Sequence, residues 1–335
     1  MLRNERVKAA IQHKETDIVP YNIEFTGEEL LKVTRHFGFD EVSFADYAGN
    51  HLEKAECNVG GNFIRPGFFR DEFAVVWNRS GEDKDIGIIE AVLLVAPSMN
   101  GFEFARPDSD GVKKNCEKLV NNGNDTFKLA KIGTSYFERA WSLRGMENLL
   151  MDFLTQPEFV EELFEKILAH NLQIIDAALD YSIDGFYFGD DYGGQNGLLM
   201  SPQTWCRFIK PGLAKMFEKV KSAGKVVVLH SCGDVSRILG ELIDIGLDVY
   251  QTVQPQVYDL KKLKADYGRD LAFWGGISTQ QTLPFVKPAE LKDIVKKTID
   301  IMAHNGGYIA GPTHRIAKDV PIENIIALVE VLKGQ

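Results

Sequence analysis

The chain has 335 residues, of which 44% are hydrophobic and 26% are charged, and its formal net charge is -10 at pH 7. This composition is typical of a globular protein, and the length suits one large domain or two ordinary ones. The acidic balance, without any block of Lys and Arg, argues against a nucleic-acid partner.

The start of the chain, residues 1–17, is polar and amphipathic and lacks the apolar core of a signal peptide. No apolar run in the sequence reaches the length of a membrane span. Four Cys in a chain of this length do not form a disulfide framework and suit a reducing compartment. We therefore predict a cytoplasmic protein that does not enter a membrane.

The first half of the chain has an irregular pattern. Residues 17–25 are predicted to form an opening strand, and residues 71–94 a β-hairpin or small β-rich excursion. Residues 127–133 are predicted as a second barrel strand. The segment 137–145 then leads into helical patterns at 145–155 and 157–181.

From residue 185 onward, strand and helix patterns alternate through five consecutive units. The predicted strands are 185–191, 225–230, 248–255, 271–277 and 307–312. The predicted helices are 201–224, 234–246, 258–268, 287–306 and 322–333. Such alternation is typical of an α/β protein with a parallel sheet.

The number of candidate strands, seven or eight, favours an eight-stranded α/β barrel over an open sheet. No GxGxxG follows the first strand, so a dinucleotide-binding fold lacks its fingerprint. No linker or change in composition interrupts the chain. We therefore predict a single (β/α)8 TIM barrel over residues 1–335, with a β-rich excursion near 71–94.

Polar side chains recur where the predicted strands end. In chain order they are Glu24, Asp190, Asp191, Gln195, His230, Cys232, Gln251, Gln254, Thr313 and His314. The carboxyl ends of parallel strands meet at one edge of a sheet or barrel, which is where such folds carry their active sites. These side chains are therefore expected to cluster at a functional site.

His230 and Cys232 combine two good zinc ligands at one strand end. Residues i and i+2 of an extended strand point to the same side, so both can face one pocket. A catalytic zinc usually has three protein ligands, and the sequence leaves the third open among Glu24, Glu90, Asp190 and His314. In the alternative interpretation, the Cys fills apolar space and the His is simply hydrogen-bonded.

Several longer motifs resemble the uroporphyrinogen decarboxylase superfamily. They are ERVKAAIQHKETDIVPY, FERAWSLRGMENLLMDFLTQPEFV, HSCGDV, FWGGISTQQTLPF and GGYIAGPTHRIAKDVPIENI. They follow one another in order over nearly the whole chain. The resemblance implies a single (β/α)8 barrel.

One branch of this superfamily contains metal-free decarboxylases, which hold the carboxylates of a tetrapyrrole with an Arg-rich stretch after the first strand. Here that stretch reads YNIEFTGEEL, with Glu24, Glu28 and Glu29 and no Arg. Acidic side chains would repel a polycarboxylate. His314 does match a His of the decarboxylases, and a metal-free decarboxylase or lyase remains the alternative function.

A second branch contains corrinoid-dependent methyltransferases, including methylcobamide:coenzyme M methyltransferases and components of O-demethylases. Several of these bind zinc through a His-x-Cys pair, which His230 and Cys232 match. The coenzyme M enzymes add a later Cys near the last strand, whereas this chain reads YIAGPTHRI there. The missing Cys favours a methyl ether or similar donor over a thiol acceptor.

The resemblance thus implies zinc-dependent transfer of a methyl group between a small substrate and a corrinoid (cobalamin) on a small partner protein. His230 and Cys232 would be metal ligands, and His314 a further catalytic residue. The candidates for binding substrate are Glu24, Asp190, Asp191, Gln195, Gln254 and Trp274. Alternatively, the two Asp cap loops and the two Gln bond to backbone. The assembly could be a homodimer, and the absence of a DxHxxG motif argues against a corrinoid carrier.

Overall fold

The computed structural model describes residues 1–81 and 87–335. Part of the predicted excursion, residues 82–86, therefore lies outside the described residues. The chain forms two compact units. Unit 1 comprises Met1–Glu53, Asn124–Lys128 and Asp248–Gln335, and unit 2 comprises Lys54–Gly123 and Leu129–Leu247.

The strands are numbered in chain order. They are β1 (Leu52–Glu56), β2 (Asn62–Arg65), β3 (Phe68–Arg70), β4 (Val76–Asn78), β5 (Ile88–Ile89), β6 (Phe127–Ile132), β7 (Gly185–Gly189), β8 (Gly193–Gly194), β9 (Gly197–Leu198), β10 (Val226–His230), β11 (Val249–Val253), β12 (Ala272–Ile277) and β13 (Tyr308–Pro312).

The α-helices are numbered in the same way, and a short 3₁₀ helix spans Ser236–Ile238. They are α1 (Arg3–Ile11), α2 (Gly27–Phe37), α3 (Glu41–Ala48), α4 (Ser109–Val120), α5 (Phe137–Arg144), α6 (Met146–Thr155), α7 (Pro157–Leu179), α8 (Pro202–Phe208), α9 (Lys210–Ser222), α10 (Leu239–Asp244), α11 (Leu260–Tyr267), α12 (Pro288–Met302) and α13 (Ile322–Lys333).

In unit 2, β7 lies between β6 and β10, and both pairings are parallel. Every residue of β7 is buried, as are the three central residues of β10. Strands buried on both faces read as continuous apolar runs, which explains why FYF and VVVL identify them in the sequence. The register sets His230 opposite Gly189, so the two strands end at the same level.

In unit 1, β11, β12 and β13 pair in parallel in that order. The predicted opening strand, residues 17–25, lies beside β13 but pairs through the isolated bridges of Tyr21 with Ala310 and Phe25 with Ile316. The Asn50 side chain accepts from Ile23 N at 2.8 Å and donates to Ile23 O at 2.8 Å. A side-chain amide thus takes the backbone bonds that a neighbouring strand would otherwise provide.

The predicted α/β class with parallel strands is confirmed, while the closed eight-stranded barrel and the single domain stay predictions. The predicted helix 201–224 is instead two helices, α8 and α9. Pro211 lacks an N–H, and its ring crowds the preceding turn, which explains the break at Ile209. Among the described residues, the structure contains no helix with the length and apolarity needed to cross a membrane.

Unit 2 also contains a four-stranded antiparallel sheet, in the order β2–β3–β4–β5. It begins at Asn62, nine residues before the start of the predicted excursion at 71. A buried ion pair joins it to α5: Arg139 Nη1 donates to Asp71 Oδ2 at 2.6 Å, and Nη2 donates to Glu72 Oε1 at 2.8 Å. Asp71 also accepts from the Trp77 indole N–H at 2.9 Å.

Replacing Arg139 by Met should lower the free energy of unfolding by about 3–5 kcal/mol, because two buried carboxylates lose their cation. The matched control is Arg207→Met, since Arg207 pairs with Glu161 on the surface, where the side chains are 58% and 54% exposed. That change should cost less than about 1 kcal/mol. Urea denaturation measures the free energy of unfolding of both variants. Equal decreases in Arg139→Met and Arg207→Met would contradict a structural role for the buried ion pair.

Candidate metal centre

The ends of β7 and β10 bring three possible metal ligands together in unit 2. His230 is the last residue of β10, Cys232 follows two residues later, and Asp191 lies two residues beyond the end of β7. Their ligand atoms all lie within 4.8 Å of one another. We refer to this group as the Asp191–His230–Cys232 cluster.

The distances within the cluster are short. Cys232 Sγ lies 3.4 Å from His230 Nε2, and that nitrogen lies 3.5 Å from Asp191 Oδ1. Asp191 Oδ1 also accepts a hydrogen bond from Cys232 N at 2.7 Å. Imidazole, thiolate and carboxylate are the three ligand types that zinc uses in proteins. The side chains therefore fit a zinc ion with three protein ligands.

Asp191 was not among the third-ligand candidates taken from the sequence, which were Glu24, Glu90, Asp190 and His314. Of the candidates in unit 2, Glu90 forms an ion pair with Arg65. Glu24 and His314 belong to unit 1. The structure thus brings Asp191, a predicted substrate-binding residue, to His230 and Cys232.

Asp190, the neighbour of Asp191, faces the first turn of α5. Its carboxylate accepts from Phe137 N at 2.8 Å, from Glu138 N at 2.6 Å and from the Tyr192 hydroxyl at 2.7 Å. It thereby satisfies backbone donors that a helix leaves open at its start. Burial nevertheless raises the pKa of Asp190 to about 7. The sequence left two roles open for Asp190, substrate binding and capping. These hydrogen bonds to the start of α5 correspond to capping.

Two glycine-containing loops hold the cluster in place. Tyr192 N donates to Ser231 Oγ at 2.9 Å, and Asp234 N donates to Gly194 O at 2.8 Å. Gly233 has a φ of +77°, and a Cβ there would lie 2.4 Å from the carbonyl group of Gly193. The two backbones are therefore in direct contact, which sets Asp191 beside Cys232.

Glu138 is a further acidic neighbour that the sequence analysis missed. Burial raises the pKa of Glu138 well above its usual range, and the Asp191 and Asp190 carboxylates raise it further. Glu138 follows the end of β6 and lies in the first turn of α5. The strand-end rule that identified the other residues could have found it, since FERAW follows a predicted strand.

The Cys232 thiol responds to the same surroundings. Burial raises its pKa well above the usual range, and the negative charges of Asp191 and Glu138 add to the shift. The protein alone therefore keeps this sulfur protonated. A cation at the cluster would reverse the balance, because a metal favours the thiolate and offsets the nearby carboxylates.

The other predicted site residues lie elsewhere in the structure. Gln195 is exposed at the tip of the β8–β9 hairpin in unit 2. In unit 1, Gln254 and Trp274 are buried, Glu24 is partly buried, and His314 is exposed after the end of β13. The structure gathers His230, Cys232, Asp191 and the capping residue Asp190 in unit 2.

Replacing Gly233 by Ala should lower the free energy of unfolding by more than about 2 kcal/mol, because the left-handed backbone and the contact with Gly193 both exclude a Cβ. Gly240→Ala is the control, since a Cβ at this helical position meets nothing within 4 Å. In urea denaturation, the free energy of unfolding of Gly240→Ala should be unchanged or slightly raised. Equal destabilisation of Gly233→Ala and Gly240→Ala would contradict a close contact between Gly233 and Gly193.

Curated relatives match parts of the chain. A methylcobamide:CoM methyltransferase, MtaA, from Methanosarcina barkeri is 36% identical over 135 residues, which are 39% of this chain and 36% of that protein. A methylated-thiol–coenzyme M methyltransferase from Methanosarcina mazei is 23% identical over 209 residues, covering 60% of this chain and 51% of that protein. The chain thus spans about a third to a half of the length of these relatives.

A solved structure, described as a methyltransferase from Methanosarcina mazei, matches 100% of this chain and 99% of its own with a TM-score of 0.74 and 19% identity. At that identity the match supports the fold alone. The family model described as uroporphyrinogen decarboxylase (URO-D) matches residues 106–335, more than half of the chain. The resemblance seen in the sequence motifs is therefore confirmed, and the chain belongs to the uroporphyrinogen decarboxylase family.

Proposed function

We propose that this protein is a zinc-dependent methyltransferase that moves a methyl group between a small substrate and a corrinoid. The observation that carries the proposal is the Asp191–His230–Cys232 cluster, whose ligand atoms lie within 4.8 Å of one another. The names of the curated relatives, both methyltransferases that use coenzyme M, support the same reaction class.

In this proposal Asp191, His230 and Cys232 hold the zinc. When bound, the zinc would supply a Lewis acid for the heteroatom of the substrate that carries or receives the methyl group. Asp190 positions α5 through its two backbone hydrogen bonds and so places Glu138 near the cluster. The raised pKa of Glu138 lets this side chain hold a proton close to the reacting groups.

The preferred substrate is a methyl ether or a similar donor, and the methyl acceptor is a corrinoid on a small partner protein. The sequence YIAGPTHRI, with no Cys near the last strand, supports a donor of this kind over a thiol. A thiol acceptor is the second candidate, favoured by the names of the relatives. A metal-free decarboxylase or lyase is less suited, since residues 21–30 carry acidic rather than basic side chains.

The proposal extends to the protein as a whole. We infer that residues 1–335 form one closed (β/α)8 barrel, as membership of the uroporphyrinogen decarboxylase family implies. The protein would act in the cytoplasm, and it could do so as a homodimer. His314, Gln195, Gln254, Glu24 and Trp274 remain proposed catalytic or substrate-binding residues.

The proposal is tested with the purified chain, zinc and free cob(I)alamin in place of the corrinoid protein. Wild-type protein should bind one zinc per chain and convert cob(I)alamin to methylcobalamin with an aryl methyl ether, followed by visible absorbance. Cys232→Ser should lose the methyl transfer and weaken zinc binding by more than about 100-fold, because groups that only support a ligand already contribute ~10–100-fold.

Cys206→Ser is the matched control, since Cys206 is a free thiol on α8 outside the cluster. It should keep both zinc and activity. Reaction of methylcobalamin with a thiol, but not of cob(I)alamin with the ether, would favour the second candidate. Normal turnover in a zinc-free Cys232→Ser protein would refute the zinc-dependent mechanism.

Zinc affinity should rise about tenfold per pH unit between pH 7 and 8.5. The sign follows from Cys232: its raised pKa keeps the thiol protonated, so each zinc that binds must displace one proton. Competition with a chromophoric chelator measures the slope. In Cys232→Ser, zinc binding should release about one proton fewer, so the slope of the logarithm of zinc affinity against pH should decrease by about one. An unchanged slope would mean that this sulfur does not bind the metal.

A further inference from the structure

Two buried cysteines in unit 2 lie side by side, and neither belongs to the Asp191–His230–Cys232 cluster. Cys57 directly follows β1, and Cys116 lies on α4. The two residues are 1% and 0% exposed, and their thiols are hydrogen-bonded to each other. Both are free thiols in the structure. We refer to them as the Cys57–Cys116 pair.

Contacts of neighbouring residues hold the pair together. Asn115 Nδ2 donates to Glu56 O at 2.9 Å, so the residues that precede the two cysteines are joined as well. One turn earlier on α4, a Cβ at Gly111 would lie 2.5 Å from Val59 Cγ1. The helix and the chain after β1 are therefore in close contact on both sides of the sulfurs, and we expect a bond between the sulfurs to require little movement of the backbone.

The pair lies just beneath the surface. Glu56 and Glu117, which are next to Cys57 and Cys116 in the chain, are both exposed, and the hydrogen bond between Asn115 and Glu56 is exposed too. A peroxide molecule is little larger than water. It therefore needs only a local opening of this surface to reach the sulfurs.

The two sulfurs differ in reactivity. The hydrogen bond with Cys57 lowers the pKa of Cys116, whereas the same hydrogen bond and burial raise the pKa of Cys57. The thiolate is the form of cysteine that attacks an oxidant. Cys116 is therefore expected to react first, with Cys57 in contact with the product.

We propose that the Cys57–Cys116 pair is a redox-active site that a small peroxide converts into an intramolecular disulfide. The Cys116 sulfur attacks one peroxide oxygen, the O–O bond breaks, and the other oxygen leaves as water with the Cys116 proton. The Cys57 sulfur then displaces the hydroxyl of the resulting sulfenic acid, which leaves as a second water with the Cys57 proton. The two sulfurs thus give two electrons and two protons to the peroxide, and a dithiol restores both thiols by exchange.

This inference goes beyond the proposed function and does not depend on it, because the disulfide is detected without zinc, corrinoid or turnover. The full chain is treated with a small excess of hydrogen peroxide, its remaining thiols are blocked with N-ethylmaleimide, and its peptides are analysed by mass spectrometry without reduction. A disulfide between Cys57 and Cys116 should form in most chains and disappear with dithiothreitol. The oxidised protein should also melt several degrees higher than the reduced protein, because the bond closes a long loop in the unfolded chain.

Cys57→Ser should leave Cys116 as a sulfenic acid that dimedone traps, whereas Cys116→Ser should leave Cys57 largely unmodified. The matched control is Cys206→Ser, which removes a free thiol on α8 and should keep the disulfide. Peptide analysis of the wild-type protein needs no variant, so it decides the matter even if a Ser variant fails to fold. Recovery of Cys57 and Cys116 as separate thiols after oxidation, or a disulfide that joins either of them to Cys206 or Cys232, would overturn the inference.

Discussion

The candidate centre depends on the contact between two stretches of backbone, at Gly193 and Gly233. Each stretch follows a buried parallel strand, and the strands end at the same level because His230 pairs with Gly189. The hydrogen bond from Asp234 N to Gly194 O fixes the loops at their closest point. Everything that could act on a metal here, from the imidazole to the Asp191 carboxylate, takes its position from this contact.

The chemistry of the centre follows from the concentration of acidic groups around one sulfur. Beyond the effect of burial, Asp191 and Asp190 raise the pKa of Glu138, Asp191 raises the pKa of Asp190, and Asp191 and Glu138 raise the pKa of the Cys232 thiol. Such crowding is unfavourable for a protein with nothing bound, since like charges in a partly buried space repel. Natural proteins keep such arrangements at functional sites, where a cation or a substrate offsets the repulsion.

The parallel strands and part of the candidate centre could be predicted from the sequence, because the strands of the second half are short apolar runs that end in polar residues. The His-x-Cys pair was found in this way, since its spacing alone places both side chains on one side of a strand end. Asp190 and Asp191 could not be told apart, because the choice depends on which carboxylate meets the first turn of α5. Glu138 does not stand out in the sequence, because it lies several residues beyond the end of β6, in a segment whose pattern indicates only the approach to a helix. The 17–25 segment looked like a regular strand because side-chain bonding by Asn50 leaves no trace in a hydrophobic pattern.

The ion pair between Arg139 and the acids at the end of β3 has a consequence for how this chain can change. Arg139 directly follows Glu138, so the antiparallel sheet and the acidic neighbour of the cluster share one turn of α5. A shortened chain without that sheet would leave the Arg139 guanidinium without its two carboxylate partners. The unpaired charge would lie next to Glu138, whose position beside the cluster depends on the same turn of α5. We therefore expect that a related chain lacking the antiparallel sheet would also have an uncharged residue in place of Arg139.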